Sequence, residues 1–213
     1  MRAIFFDTET TGLPKDKSKL PPQAKENWPD LVSVSWVVTE ESKIVKGKSY
    51  IVQPEGYSIP QDSIRIHGIT NDMANMYGKP IDQVLGEFIR DVLTVDVLVG
   101  HNLEFDRNVI HQAVLYRCKV THALKWPTYT FCTMEGSRNL CKLPLLKPSL
   151  YMTYKPPRLS ELYNFVFKSN PPEELLHTSL GDVMVLVAIF FKIWTLEQVA
   201  SYARGAIQNQ DSQ

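Results

Sequence analysis

No hydrophobic run in this chain approaches the roughly 20 apolar residues that a membrane-spanning helix needs. The best stretch, Val183 to Phe191, is far too short. The N-terminus runs Ala3-Ile4-Phe5-Phe6 and then meets Asp7, so its apolar stretch is too brief for a secretory signal. Cysteine is sparse. Cys118, Cys132 and Cys141 form neither a CxxC pair nor a Cys/His zinc spacing, which argues against a disulfide framework and a zinc module. An odd, sparse set reads as reduced thiols and points to an intracellular, soluble protein with no membrane partner. An excess of charge is also missing: 23 Lys and Arg balance 23 Asp and Glu. There is no overall basic footprint of the kind that marks a tight non-specific nucleic-acid binder. An enzyme that grips only a few phosphates stays compatible with this balance. No internal repeat and no linker divides the chain.

What is present is an ordinary globular composition and a clear change of period. Arg2 to Glu9 reads as a buried strand followed by the turn Thr10-Thr11-Gly12-Leu13-Pro14. Lys15 to Asp30 is a polar loop. Leu31 to Thr39 alternates and gives a second strand; Lys48 to Gln53 gives a third, with Glu41 to Lys48 as the link. Ile81, Val84, Leu85, Phe88, Ile89 and Val92 then fall at helical spacing over 81–93. Val95 to Gly100 is a short strand. Asn102 is placed to cap a helix with the face Phe105, Val109, Ala113 and Tyr116. Thr128 to Thr133 makes a fifth strand. Leu143 to Pro157 is Pro-rich and irregular, and helices follow over 159–167, 180–194 and 196–204. The order predicts an α/β fold, a mixed five-stranded sheet flanked by helices on both faces. The expectation is a single domain over 1–205 with a frayed tail over 206–213.

Four acids and one histidine carry the candidate chemistry. Asp7 and Glu9 are two apart on a strand and therefore share a face. Two like charges at the end of a buried strand repel, and a hard divalent cation relieves that. A D-x-E pair alone is common in a chain of this composition; its setting after Ile-Phe-Phe and before Thr-Thr-Gly is what raises it. Asp106 falls in the first turn of a predicted helix, where acids are also favoured by the helix dipole. Asp182 follows Ser179-Leu180-Gly181, which fits a capping box with the acid at N3. His177, just outside that cap, is an imidazole suited to taking a proton from water at neutral pH.

The order FDTETTG at 6–12, HNLEFD at 101–106 and HTSLGD at 177–182 resembles the three exonuclease motifs of the DEDDh 3′–5′ exonucleases. These include the epsilon proofreading subunit of bacterial DNA polymerase III, RNase T and the TREX-like nucleases. The resemblance covers Arg2 to about Trp194, and Ile66-His67-Gly68-Ile69-Thr70 is similar to a stretch of epsilon-type members. It implies a ribonuclease H-like fold. It implies that Asp7, Glu9, Asp106 and Asp182 hold two divalent ions, Mg2+ or Mn2+, with Asp7 touching both, in a two-metal hydrolysis. His177 would be the general base, and nucleoside 5′-monophosphates the product.

By the same resemblance Thr10, Thr11, Gly12 and Leu13 pass close to the 3′-terminal nucleotide, with Asn102 and Phe105 lining the pocket. Gly12 would allow close backbone approach, and Leu13 a wedge against the last base. Leu13 and Phe105 read equally well as core residues. The expected partner is single-stranded DNA or a single-stranded 3′ end, with RNA as the alternative substrate. A reading of another class makes the chain an accessory protein of a polymerase or other nucleic-acid enzyme. His67 reads as a turn residue near the site; His101, His111 and His122 read as structural. Lys15, Lys17, Lys19 and Lys25 make the 14–30 loop either a solvated loop or a basic arm for the upstream strand. Ser33 and Ser35 stand on the second strand without the acid many relatives carry there, and Ser179 stands where alanine is common.

Overall fold

The computed structural model describes residues 1–119, 123–145, 147, 153–172 and 178–201. Three antiparallel strands open the chain: β1 (Arg2–Thr10), β2 (Leu31–Glu40) and β3 (Lys43–Ile51). Two short helices, α1 (Gln61–His67) and α2 (Asn71–Tyr77), precede the longer α3 (Ile81–Val92). Then β4 (Val97–Gly100), α4 (Leu103–Tyr116), β5 (Tyr129–Cys132), α5 (Thr133–Cys141), α6 (Leu159–Phe167) and α7 (Ser179–Ile193) follow. Residues 196–201 are again helical. The sheet order is β3-β2-β1-β4-β5, with β4 parallel to β1 and β5 parallel to β4. This is the mixed five-stranded sheet that the element order predicts. Among the described residues no helix is long and apolar enough to cross a membrane.

β1 is central, and its alternation builds both layers. Ile4 and Phe6 face one side, where α3 and α4 pack through Val84, Phe88, Val109 and Ile110. Ala3 and Phe5 face the other, against Val183, Leu186 and Phe190 of α7. Phe5 meets Phe190 edge-on at 5.2 Å. Each large side chain fully buried this way contributes about 1.5–3 kcal/mol. The short apolar run at 3–6 is therefore a strand buried on both faces.

Three departures from the sequence reading have physical causes. β3 begins at Lys43, not Lys48, after a two-residue turn in which Glu41 takes a left-handed φ of 54°. It is an edge strand, and its Lys43, Lys46 and Lys48 mask the apolar alternation while discouraging edge pairing. Lys46 and Lys48 pair with Asp91 and Glu87 of α3. Helices α1, α2 and α5 are too short or bury too little apolar surface to show a period: α5 buries Thr133 and Ser137. Finally, the 14–30 segment is not a freely solvated loop. Asn27 and Trp28 are each only 7% exposed. The Asn27 amide donates to the carbonyls of Asp16 (2.7 Å) and Lys19 (2.8 Å), and Trp28 Nε1 donates to the latter at 2.8 Å. The loop is folded around these two side chains, with Lys15, Lys17, Lys19 and Lys25 exposed on its outside. Part of the irregular 143–157 stretch and the end of the 196–204 helix lie outside the described residues, as do the tail and His122.

Candidate active site

The site forms where the carboxyl ends of the parallel strands β1 and β4 meet the first turns of α4 and α7. Open α/β sheets place their ligands at that end. Odd residues of β1 face α7, so Asp7 and Glu9 continue the face begun by Ala3 and Phe5. Across the antiparallel pairing they stand opposite Ser35 and Ser33 of β2.

Asp182 reaches the same point from α7. The helix is capped by Thr178, whose Oγ1 accepts from the Gly181 amide at 3.0 Å. This corrects the expected capping box: Ser179 is the first helical residue, and Asp182 lies beyond N3. The consequence is chemical. Ser179, buried, is turned toward the sheet instead, within 3.1 Å of the Ser33 hydroxyl and 2.7 Å of the Ser35 hydroxyl. Ser35 in turn donates to Ser49 at 2.8 Å. The serines at 33, 35 and 179, which the sequence reading treated as unrelated departures from the family pattern, thus tie β2 to the start of α7 and fix the position from which Asp182 projects.

Asp7, Glu9 and Asp182 each offer a carboxylate oxygen, and these oxygens lie within 4.8 Å of one another. Asp106 completes the constellation from α4 and is 3% exposed. Its Oδ1 accepts from the Thr8 amide (3.2 Å) and from Thr8 Oγ1 (2.6 Å). Thr8 belongs to none of the acidic motifs, yet strand alternation alone locates it. A residue between two acids on a strand points to the opposite face, which is the α4 face.

Electrostatics show how little this arrangement suits bare carboxylates. Burial, and then the neighbouring Asp106, Asp182 and Glu9, hold the Asp7 carboxyl well above the usual range. Burial, Asp182 and Asp106 push Glu9 up to about 8. Burial raises Asp106 to about 7, against the pull of its Thr8 hydrogen bonds. An all-oxygen donor set whose members repel one another fits a hard divalent cation.

The other sequence-selected residues divide. His177 lies outside the described residues. Thr11 pins its loop to the far end of the 14–30 segment: its amide donates to the Asp30 carbonyl at 3.0 Å, and its Oγ1 accepts from the Asp30 amide at 2.9 Å. Thr10 Oγ1 donates to the Gly12 carbonyl at 2.8 Å. Gly12 has φ 150° with open space around it, a conformation that resists a side chain. Leu13 is 73% exposed, so the core reading is wrong for it. Phe105 is partly buried and packs on the core and on Trp28 (ring centroids 5.9 Å), so for it core packing holds. Asn102 occupies the cap position of α4 but in a left-handed conformation with no side-chain cap bond, which corrects its expected capping role. It lines a cavity with Phe105 and Trp28.

His67 accepts from the Ile69 amide through Nδ1 at 3.1 Å, the expected turn contact. Burial lowers its basicity, an effect the Thr10 backbone partly offsets. Both ring nitrogens of His101 are engaged, with Thr133 Oγ1 and the Pro157 carbonyl, each at 3.0 Å, and burial drives its pKa to about 4. It is a neutral structural bridge.

Thr8 gives a first test. Thr8→Val keeps shape and strand propensity but removes the hydroxyl that orients Asp106. Partners behind a metal ligand are worth about 10–100-fold in affinity. Mg2+ affinity, read from metal-dependent thermal shifts, should drop by that factor in Thr8→Val and recover in Thr8→Ser.

No curated protein sequence is a significant match to the chain. Solved structures do match. Exonuclease X in complex with 5′-overhanging duplex DNA is 25% identical, over 94% of this chain and 99% of that one, with a TM-score of 0.57. Exonuclease I superposes with a TM-score of 0.68 at 17% identity, over 94% of this chain and 42% of that one. E. coli exonuclease I with a dA16 oligonucleotide gives 0.66 at 18% identity, again over 94% and 42%. The chain thus spans less than half of exonuclease I, and these two likenesses speak for the ribonuclease H-like fold. The RNase T family model, described as exonuclease, matches residues 4–190, which takes in β1 to the last turn of α7 and every acid of the cluster. The chain belongs to the RNase T exonuclease family.

Proposed function

We propose that this protein is a divalent-cation-dependent 3′–5′ exonuclease that acts on single-stranded DNA or single-stranded 3′ ends and releases nucleoside 5′-monophosphates. The observation that carries the reading is the convergence of Asp7, Glu9 and Asp182 within 4.8 Å, with Asp106 held beside them by Thr8. Family membership supports the nuclease chemistry, and the DNA bound to exonuclease X and exonuclease I supports the substrate class.

Bound divalent cations would neutralise the four carboxylates, polarise the scissile phosphate and make water a better nucleophile at neutral pH. Asp7, Glu9, Asp106 and Asp182 are the residues that would hold them. Thr8 keeps Asp106 in one orientation. His177 is proposed to accept the proton of the attacking water. Gly12 would let the strand approach the backbone, and the exposed Leu13 would meet the terminal base. Asn102 and Phe105 line the adjoining cavity. Stacking and apolar contact read no sequence, which suits an enzyme that must accept any 3′ nucleotide.

The test is digestion of 5′-labelled DNA and RNA strands of one sequence, with Mg2+ and with chelator. A ladder that shortens from the 3′ end only with metal, and faster on DNA, is the expected result. A single labelled mononucleotide would mean the opposite polarity, faster RNA loss would change the substrate, and no digestion would overturn the reading.

A further inference from the structure

Three cavities lie between the folded 14–30 loop and α4, and neighbouring ones share a wall residue. The first, of about 430 Å3, has Gly12, Leu13, Lys15 and Trp28 on its wall. The second, of about 180 Å3, shares Trp28 and adds Lys17, Glu104 and Phe105. The third, of about 490 Å3, shares Glu104 and is walled by Leu20, Arg107, Asn108, His111 and Trp126. The folded 14–30 loop supplies one side of all three. The first touches the segment that follows Asp7 and Glu9, and the third reaches Thr130 and Cys132 of β5.

The third cavity holds a cation, Arg107, that has no hydrogen-bond partner among the described residues. The Arg107 guanidinium lies over the Trp126 ring at 5.3 Å. Trp126 is backed by Phe6, stacked at 6.1 Å, and by Phe88, edge-on at 6.3 Å, so the stack is anchored in the core. Among the described residues Arg107 makes no ion pair or hydrogen bond, and its Nε is buried without an acceptor. The Asn108 amide nitrogen beside it is buried and unpaired as well. Buried charges are usually paired and hydrogen-bonded, whereas the acid that acts on Arg107, Glu104 one turn away on α4, makes no ion pair or hydrogen bond with it among the described residues. Here a planar cation lies over an aromatic ring with its Nε donor unspent, an arrangement suited to stacking a base and binding a phosphate. A volume of about 490 Å3 is in the range of small-ligand sites.

We infer that the Arg107–Trp126 cleft is a second nucleotide subsite, which holds the single strand upstream of the 3′ end delivered to the acid cluster. The inference rests on the nuclease reading for its ligand. The trough is not uniformly basic: Glu26 and Glu104 also line it, with Glu104 at the junction of the second and third cavities. Glu104 would face the strand there and weaken it.

The experiment compares wild type with Arg107→Gln, Arg107→Lys and Glu104→Gln on an oligothymidylate of about 16 nucleotides and on a dinucleotide. Arg107→Gln should raise KM for the long strand about tenfold, with kcat and the dinucleotide KM unchanged. It should also flatten the salt dependence of long-strand binding by about one counterion. Arg107→Lys, which keeps the charge but loses the planar guanidinium, should fall between, and it carries the test should Arg107→Gln fail to fold. Glu104→Gln should lower the long-strand KM. Equal effects on both lengths, or none on the long strand, would overturn the subsite. If wild type cleaves neither substrate, the nuclease reading fails. Anisotropy of a fluorescein-labelled strand then decides the subsite by itself: weaker binding by Arg107→Gln upholds it, and equal binding overturns it.

Discussion

Asp7→Asn should lose at least about 10³-fold in exonuclease rate, roughly 4 kcal/mol of barrier, while the metal-free protein becomes no less stable. Both halves follow from one fact. Asp7 is the acid on which the others converge: Asp106, Asp182 and Glu9 all act on it, on top of burial. As a metal ligand it would be the hardest to replace, because an amide oxygen has no charge with which to hold a divalent ion. As a bare carboxylate it is a liability, since a buried charge among like charges opposes folding. Asparagine keeps the shape and removes the charge. In chelator at mildly alkaline pH the variant should therefore melt at or above the wild-type temperature. For a chain of this size 1 kcal/mol corresponds to about 2–4 °C. Retained activity would remove Asp7 from the chemistry. A melting temperature well below wild type would mean that the carboxylate is structural.

The second large effect is a coupling of stability, pH and metal. Glu9 is raised from 4.5 to about 8 and Asp106 from 3.8 to about 7. The folded protein therefore binds more protons than the unfolded chain across this window, and stability must fall as pH rises through it. The contribution is complete below the unfolded values near 4 and is lost by about pH 8. In chelator the melting temperature should drop between about pH 5 and pH 8. Mg2+ competes with protons for the same oxygens, so its stabilising effect should grow as pH rises. At about 100 times its Kd one bound ion adds about 2.7 kcal/mol, or about 5–10 °C at this chain length. A metal-induced shift that is flat with pH, or strongest in acid, would contradict a carboxylate metal site.

The parts of this molecule visible in its sequence are those set by burial and alternation. Ala3-Ile4-Phe5-Phe6 could only be a strand covered on both faces, and Ile81 to Val92 only an amphipathic helix. The same alternation placed Asp7 and Glu9 together. The rest was hidden because polar contacts made over long sequence distances leave no local pattern. Thr8 bonds Asp106 from 98 residues away, and Ser35 meets Ser179 across 144. The cap of α7 was placed one residue late because Thr178 and Ser179 are both good cap residues, and only the position of the sheet decides between them. The 14–30 loop looked solvated because its lysines outnumber the two side chains, Asn27 and Trp28, around which it folds.

The most direct test of the account is to count bound Mn2+ by electron paramagnetic resonance on the full chain at mildly alkaline pH, with Asp7→Asn beside it. Mn2+ should be bound by the wild type, displaced by Mg2+ and absent from the variant. Mn2+ bound equally by both proteins, or by neither, would show that the acid cluster is not a metal centre.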